Sequence, residues 1–297
     1  MVVAAGPGDA LGALGAAAPG RARAVALPEP GAADAVLDAV EFLVLDHTRT
    51  DLLPALAGMR ALRLVHTLVV GTDWLAPHLP PGVRLARPAG SRDNGVAEWV
   101  ASALLGLASG LLPAARDQHR ARWRRTESTE LYGSRAVVVG AGSVGRAARD
   151  LLTGLGVRVT LVARTAREGV EPVARLPELA AETDALVLLV PATPETVGLV
   201  GAEVLKRLPD GAVVVNAARG PVLDTAALTA EVVAGRLLAV LDVTDPEPLP
   251  GDHPLWRAPG CVVSPHIAGA TRQGRRRAVL AAAGALRRYA AEGGGAR

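Results

Sequence analysis

The sequence predicts an α/β fold with two domains, and three observations support this prediction. The chain has 297 residues, of which 50% are hydrophobic types and 21% are charged, so it contains enough apolar material for two medium-sized cores. From about residue 36 onwards, short apolar runs alternate with helical or turn segments, a rhythm typical of parallel α/β layers. A long helical pattern over 95–119 separates two such series. We therefore expect that helix to join two lobes.

The first series predicts the smaller domain. Its apolar runs are Phe42–Leu45 and Leu62–Val70, and a helical or turn segment lies between them at Thr50–Met59. The last helical pattern, Thr271–Ala291, follows the second series, and we expect it to return to the first lobe. The predicted small domain therefore covers residues 1–93 and is completed by 272–297.

The second series, residues 94–271, contains six candidate strands. They are Ala136–Val139, Val157–Val162, Ala185–Val190, Ala212–Val215, Leu237–Leu241 and Cys261–Ser264. Several of them are almost wholly apolar, as expected for strands covered by helices on both faces. This pattern predicts a doubly wound parallel sheet.

A glycine motif follows the first of these six strands. The sequence GAGSVG over 140–145 lies between that strand and a helical pattern over 146–155. Gly140 permits a tight turn, Gly142 allows backbone to approach a pyrophosphate, and Gly145 allows the helix to pack on the strand. The start of the helix adds partial positive charge. We therefore predict a Rossmann-type dinucleotide-binding domain. The expected cofactor contacts in this loop are Gly140, Gly142, Ser143, Val144 and Gly145.

The end of the next strand bears on the choice of cofactor. An acidic residue there binds the 2′-hydroxyl of the adenosine ribose, whereas an arginine accommodates a 2′-phosphate. Ala163 stands where the acid is expected, and Arg164, Thr165 and Arg167 follow it. These side chains offer guanidinium forks and a hydroxyl to a phosphate dianion. The sequence thus favours NADP, with NAD as a possible second cofactor.

The composition argues against several other partners. The net charge is only +3, and the basic clusters Arg120–Arg125 and Arg275–Arg277 contain a single aromatic residue, Trp123, instead of the series of aromatic residues that single-strand binding uses. We interpret both clusters as solvated helix faces and expect no nucleic-acid partner. No apolar run reaches the length of about 18 residues that a membrane span requires. The single cysteine, Cys261, excludes an internal disulfide and fits a reducing compartment, so we expect a cytoplasmic protein. The spacing of the histidines predicts no metal site.

Three further segments follow predicted strands of the second series, at 216–220, 241–248 and 264–269. Because they follow parallel strands, we expect them to meet at the carboxyl edge of the sheet, where ligands of such folds bind. Together with the segments 94–98 and 190–196, they resemble the D-isomer-specific 2-hydroxyacid dehydrogenase family, in particular its glyoxylate/hydroxypyruvate reductases. The resemblance covers nearly the whole chain. It implies an enzyme that transfers a hydride between NAD(P)H and a small 2-keto or 2-hydroxy acid.

The resemblance also implies roles for individual residues. Reduction of a 2-keto acid requires a cation for the carboxylate, a proton donor for the carbonyl oxygen and a source of hydride. Arg219 matches the substrate-binding arginine, His266 the acid/base, and Glu247 its carboxylate partner. Asp245 competes for that last role, but the Glu-Pro pattern favours Glu247. The loop of Val70 and Gly71 matches the one whose backbone N–H groups hold the substrate carboxylate.

Further implications concern the cofactor and the assembly. Asp242 resembles the family's acid near the nicotinamide carboxamide. The remaining cofactor contacts implied by the resemblance are Val190, Pro191, Thr196, Ala217, His266 and Gly269. The small domain is expected to be flavodoxin-like, and the cofactor lobes are expected to form a homodimer. One departure is that Val243 is followed by Thr244, where many relatives carry phenylalanine.

Two alternatives to this function remain at the level of sequence. One is a different small-acid reaction in the same superfamily, such as formate or phosphite oxidation, although Glu247 argues against the formate type. The other is a nucleotide-sensing binding protein without turnover, like the transcriptional corepressors that share this fold. The identity of the keto acid also stays open between glyoxylate, hydroxypyruvate and bulkier aryl or branched acids.

Overall fold

The computed structural model describes residues 1–6, 8–18, 20, 22–28, 37–125 and 127–294. The chain forms two compact units, one of Met1–Arg92 with Arg272–Arg297 and one of Asp93–Thr271. Each unit contains one sheet, in which all paired strands are parallel. The predicted two-domain α/β fold is therefore confirmed.

The first unit has a five-stranded sheet in the order β2-β1-β3-β4-β5, which is the flavodoxin-like order that the family resemblance implies. Numbered in chain order, its strands are β1 (Val2–Ala5), β2 (Arg23–Ala26), β3 (Val40–Leu45), β4 (Leu64–Thr67) and β5 (Arg84–Ala86), and its helices are α1 (Asp9–Ala17) and α8 (Arg272–Ala291). Short 3-10 helices cover Leu37–Ala39, Thr50–Gly58 and Ala76–His78.

Two apolar layers cover this sheet. On one face, Leu14 of α1 and Leu286 of α8 pack with Val3 and Phe42 of the sheet. On the other face, Leu43 and other sheet residues pack under the 3-10 segments. The final helix is therefore part of the core of the first unit.

The second unit has a seven-stranded sheet in the order β12-β11-β10-β9-β6-β7-β8. This is the Rossmann order 3-2-1-4-5-6 with one strand added at the end. Its strands are β6 (Arg135–Val139), β7 (Arg158–Ala163), β8 (Val170–Pro172), β9 (Ala185–Leu188), β10 (Val213–Asn216), β11 (Leu238–Leu241) and β12 (Cys261–Val263). Its helices are α2 (Asp93–Ala108), α3 (Leu111–His119), α4 (Ser143–Gly154), α5 (Leu176–Ala180), α6 (Ala202–Leu205) and α7 (Thr225–Val233), with 3-10 helices at Val173–Arg175, Gly220–Val222 and Pro254–Trp256.

Helices cover both faces of this sheet, as the apolar strands predict. Leu104 of α2 and Leu152 of α4 pack with Val138 on one face, whereas Leu205 of α6 and Leu228 of α7 pack on the other. All seven strands run in the same direction, so their carboxyl ends lie along one edge.

The long helix expected over 95–119 is in fact two helices. The break comes at Ser109–Gly110, where α2 and α3 meet at a bend of 71°, and Gly110 adopts the left-handed conformation with φ of 74°. In the part of the chain that the structure describes, no single helix is long and apolar enough to cross a membrane, and only α2 with α3 reaches that length and composition together. Val100 and Leu104 of α2 are buried within their own unit.

Of the two basic clusters predicted to be solvated helix faces, Arg275–Arg277 lie on α8, with Arg275 and Arg276 exposed, whereas Arg120–Arg125 do not lie on a helix. Helix α3 ends at His119, so Arg120–Arg125 follow the helix as an exposed segment. In α8, Arg275 forms ion pairs with Asp9 at 2.9 Å and with Asp46 at 3.1 Å. Arg275 thereby ties α8 to the carboxyl ends of the first sheet.

Candidate active and cofactor site

The loop after β6 can be formed only with glycine at two positions. Gly140 has a φ of 122°, and a Cβ there would lie 2.3 Å from the carbonyl oxygen of Leu189. A Cβ on Gly145 would lie 1.7 Å from the carbonyl oxygen of Gly140. Both contacts are far too short for real atoms, so Gly140 and Gly145 are required by the backbone itself.

Gly142 differs, because a Cβ there would meet no described atom within 4 Å. The protein's own packing therefore does not explain glycine at this position, whereas a ligand held against the backbone does. Helix α4 begins at the next residue, Ser143, and no side chain caps it. The N–H groups of its first turn, including that of Val144, need an acceptor. These residues fit the pyrophosphate of a dinucleotide.

Arginine side chains lie beside this loop. Arg164 and Thr165 follow the end of β7 and are exposed. Arg167 bends back, and its Nη2 donates to the carbonyl oxygen of Ala141 at 3.1 Å. Arg146, in the first turn of α4, donates to the same oxygen at 2.7 Å. Positive charge is thus concentrated between the glycine loop and the end of β7.

The loops after β9 and β10 lie at the same edge. Val190 and Pro191 follow β9, and the Thr196 hydroxyl donates to the Pro191 carbonyl at 2.6 Å. That hydroxyl also accepts from the Thr193 N–H at 2.8 Å, so Thr196 closes the loop. The N–H of Ala217, after β10, donates to the Leu188 carbonyl at 3.3 Å. Strand β9 pairs with β6, and this loop is therefore a neighbour of the glycine loop.

The predicted substrate arginine follows a turn at the end of β10. The buried Asn216 accepts from the Ala218 N–H at 3.0 Å and donates to the Arg219 carbonyl at 3.2 Å. Arg219 is half-buried, and its Nη1 donates to the Ala218 carbonyl at 2.8 Å. A Cβ on Gly220 would lie 1.9 Å from the Thr244 carbonyl oxygen. Glycine after the arginine therefore lets this turn pack directly on the segment that follows β11.

Asp242, at the end of β11, holds the segment that carries His266. Asp242 is 3% exposed. Its Oδ1 accepts from the Ser264 hydroxyl and from the Ile267 N–H, both at 2.7 Å, and its Oδ2 accepts from the Ala268 N–H at 2.8 Å. Its backbone carbonyl accepts from the His266 N–H at 2.8 Å. Both carboxylate oxygens thus fix the turn that leads to Gly269.

His266 and Glu247 are in contact. The Nδ1 of His266 lies 2.7 Å from Oε1 of Glu247, and the two side chains are 47% and 42% exposed. His266 has a φ of 56°, in the left-handed region. With Nδ1 engaged by the carboxylate, Nε2 is the nitrogen available for proton exchange. Among the described residues the carboxylate in contact with this ring belongs to Glu247 and not to the competing Asp245.

Val70 and Gly71 belong to the first unit and follow β4. Both are half-buried. The Gly71 carbonyl accepts from the Trp74 indole N–H at 3.0 Å, and the Leu68 carbonyl accepts from Arg92 at 3.0 Å. These bonds use carbonyl groups of the loop and hold it at the carboxyl edge of its own sheet.

Three residues of this site had no role assigned from sequence, namely Arg146, Asn216 and Ser264. Asparagine and serine directly after a strand are a known signal for side-chain bonds to nearby backbone, which could have identified Asn216 and Ser264. In the part of the chain that the structure describes, no group of three His, Cys, Asp or Glu residues could hold a metal ion.

The strand order of the second unit and its glycine loop define a dinucleotide-binding protein of the Rossmann class. Residues 101–268 match the family model described as the D-isomer specific 2-hydroxyacid dehydrogenase, NAD binding domain. The chain belongs to this family of NAD(P)-binding oxidoreductases.

Several family members are similar over most of the chain. The human glyoxylate reductase/hydroxypyruvate reductase is 33% identical over 82% of this chain and 78% of its own length. The D-3-phosphoglycerate dehydrogenase of Mycobacterium bovis is 34% identical over 82% of this chain, but over only 48% of its own length. A D-isomer specific 2-hydroxyacid dehydrogenase from Xanthobacter autotrophicus Py2, solved in complex with NADPH and MES, is 31% identical with a TM-score of 0.81, over 98% of this chain and 95% of its own.

Proposed function

We propose that this protein is a reductase that interconverts a small 2-keto acid and the corresponding 2-hydroxy acid with NADPH as its preferred cofactor. In this proposal the unit of residues 93–271 binds the dinucleotide, and Val70 and Gly71 of the other unit bind the substrate carboxylate. The relatives named glyoxylate or hydroxypyruvate reductase support this substrate class.

The contact of 2.7 Å between His266 and Glu247 is the observation that carries the proposal. An imidazole beside a carboxylate is a proton donor and acceptor suited to neutral pH. The carboxylate fixes the orientation of the ring and its tautomer, as in other pairs in which an acid orients a catalytic histidine. Such an arrangement is expected in an enzyme that protonates a carbonyl oxygen, and nucleotide binding alone does not require it.

The remaining groups have defined tasks in the proposed reaction. Bound NADPH would supply a hydride to the carbonyl carbon of the substrate. His266 gives its Nε2 proton to the developing alkoxide and regains a proton from solvent, while Glu247 stabilises the charged ring. The guanidinium of Arg219 binds the substrate carboxylate and polarises the neighbouring carbonyl. In the reverse direction His266 removes the hydroxyl proton.

The preference for NADPH rests on the end of β7. Ala163 stands where an acid would repel a 2′-phosphate, and Arg164 and Thr165 follow it with exposed side chains. The NADPH complex of the Xanthobacter relative supports the assignment.

We also propose that the protein is a homodimer formed through its dinucleotide-binding units. Exposed large apolar side chains support this, because three of them fall in one stretch of that unit: Leu111, Trp123 and Tyr132 are 67%, 97% and 77% exposed. Exposed apolar side chains that form one contiguous patch commonly mark an interface.

The function is tested by following nicotinamide oxidation with NADPH and with NADH against a panel of 2-keto acids. We expect turnover with NADPH, and we expect His266→Ala to lower kcat by about 10²- to 10⁴-fold, the usual contribution of a general acid. His119→Ala is the matched control, because His119 is an exposed histidine of the same unit, and it should leave kcat unchanged.

Each other result has a definite meaning. Turnover with NADH alone contradicts the cofactor preference and leaves the reaction in place. Full activity of His266→Ala contradicts the role of the histidine. Tight cofactor binding without turnover on any keto acid contradicts the reductase and supports a nucleotide-sensing protein.

A further inference from the structure

Two arginines beside the glycine loop share one backbone acceptor. The Nη1 of Arg146 and the Nη2 of Arg167 donate to the carbonyl oxygen of Ala141 at 2.7 Å and 3.1 Å. These two nitrogens therefore lie no more than about 6 Å apart, a distance at which two like charges repel. A single neutral carbonyl group does not offset that repulsion.

Other arginines of the same unit have acidic partners. Arg149, three residues beyond Arg146 on α4, pairs with Asp150 at 2.7 Å, and Arg175 pairs with two glutamates. By contrast, within the described ranges no carboxylate forms an ion pair with Arg146 or Arg167. A guanidinium group has five N–H donors, and the contact with Ala141 uses one from each side chain. The remaining donors are available to an anion.

The position of this pair indicates which anion. Arg167 belongs to the loop after β7, where the ribose of a bound adenosine is recognised. That loop folds back because the backbone groups of Arg167 and Val170 bond to each other at 3.1 Å and 2.9 Å. Arg146 reaches the same point from the first turn of α4. The two guanidinium groups thus converge on the ribose side of the glycine loop, whereas the uncapped amides of α4 and the open space at Gly142 are suited to the pyrophosphate.

We propose that Arg146 and Arg167 together form a clamp for the 2′-phosphate of an adenosine nucleotide. The clamp deepens the proposed NADPH preference and rests on it, and it adds Arg146, which lies outside the residues that the end of β7 contributes. Both guanidinium groups rotate from the Ala141 carbonyl onto the phosphate oxygens, and the phosphate dianion offsets their mutual repulsion. A nucleotide without the 2′-phosphate leaves the two like charges without a counter-charge.

Calorimetric titration with two fragments tests the clamp without any catalytic turnover. Adenosine 2′,5′-bisphosphate carries the 2′-phosphate, and ADP carries the pyrophosphate instead. We expect wild-type protein to bind the bisphosphate more tightly than ADP. Arg146→Gln and Arg167→Gln should each weaken bisphosphate binding at least about tenfold, as expected for loss of a charge-assisted bond, and change ADP binding less than about twofold.

Arg149→Gln is the matched control, because Arg149 is on the same helix and has its own acidic partner. It should leave both affinities within about twofold of wild type. Unchanged ADP binding in the two test variants also reports that the glycine loop is intact, so misfolding is recognised directly.

Three outcomes overturn the clamp. If the two test variants lose affinity for the bisphosphate and for ADP to the same extent, the arginines bind the pyrophosphate or support the loop. If Arg146→Gln binds the bisphosphate as tightly as wild type, Arg146 is not part of the site. If Arg167→Gln binds the bisphosphate as tightly as wild type, Arg167 is not part of the site. Absence of keto-acid turnover, in contrast, contradicts the proposed reaction and leaves the result on the clamp unaffected.

Discussion

Asp242 illustrates how one buried residue can determine the position of another residue's side chain. His266 has a left-handed backbone conformation, which costs a non-glycine residue on the order of 1 kcal/mol or more. The three hydrogen bonds from the segment 264–268 to the Asp242 carboxylate offset that cost. We infer that Asp242 positions His266 in addition to any contact with the nicotinamide.

Ser264→Ala tests this positioning at a residue that has no proposed contact with substrate or cofactor. The substitution removes the bond of 2.7 Å to Asp242 Oδ1 and leaves the two backbone bonds in place. A loss of about 1 kcal/mol in loop stability is expected for one hydrogen bond, and kcat should fall about fivefold.

The dissociation constant for NADPH should stay unchanged in Ser264→Ala, and this is measured by fluorescence titration. Ser128→Ala, at an exposed position of the same unit, serves as control for kcat. An unaltered kcat in Ser264→Ala would show that the backbone bonds alone hold His266.

At this scale the sequence predicted the candidate residues better than their contacts. Glu247 and His266 belong to separate segments, and only the pairing of β11 with β12 brings those segments together. Arg146 was not predicted, because the glycine motif assigns roles to backbone groups and does not indicate where a long side chain on α4 folds. The acceptor that Arg146 shares with Arg167 also depends on the turn at 167–170, which positions Arg167 and has no apolar periodicity to identify it.

At the scale of elements, three of the strands that the sequence did not predict were missed for the same reason. β2, β5 and β8 are edge strands of their sheets, and none of their residues is fully buried. An edge strand has one neighbour and half of its surface open, so it does not need the long apolar run that identified the central strands. The break between α2 and α3 was missed for a related reason, since apolar residues continue on both sides of Gly110.

β4 carries an unusual histidine. All four of its side chains are buried, and His66 is 2% exposed with no hydrogen-bond partner for Nδ1 among the described residues. Burial lowers the pKa of His66 from 6.5 to about 4, with Arg288 acting in the same direction and a backbone bond at Thr67 opposing. The folded state thus keeps this ring neutral at a pH at which the unfolded chain already binds a proton.

The stability of the protein should therefore fall as the pH drops below about 6.5, and this loss should level off below about 4. At pH 5 the binding of a proton to His66 in the unfolded chain lowers the free energy of unfolding by about 2 kcal/mol. His66→Leu removes this loss, so the free energy of unfolding should change less between pH 7.5 and 5 in the variant than in wild type. Urea unfolding at both pH values measures the difference.

His78→Leu is the matched control, because His78 is an exposed histidine of the same unit. It should show the pH dependence of wild type. If His66→Leu shows the same dependence as well, then burial does not perturb His66 as stated.

At the scale of the whole molecule, the proposed homodimer would bury apolar side chains that are exposed in the monomer. Trp123 is 97% exposed in the monomer. Burying a large apolar side chain contributes about 1.5–3 kcal/mol, so its burial in a dimer would stabilise the interface by a similar amount. Trp123→Ser should therefore raise the dissociation constant of the dimer at least about tenfold. Light scattering coupled to size-exclusion chromatography over a dilution series measures this change.

Val233→Ser provides the comparison, since Val233 is 59% exposed on α7 of the same unit. It should leave the dimer unchanged. A wild-type protein that elutes as a monomer throughout the dilution series would contradict the homodimer itself.

The first unit is built from two distant parts of the chain, and this has a consequence for synthesis on the ribosome. The ring of Phe42 packs against that of Tyr289, with centroids 5.9 Å apart. The five strands are synthesised first, but α8, which covers one face of their sheet, is synthesised only after residues 93–271. Residues 93–271 form a continuous unit that can fold while translation proceeds. One face of the sheet in the first unit therefore stays uncovered until residues 272–291 have been synthesised.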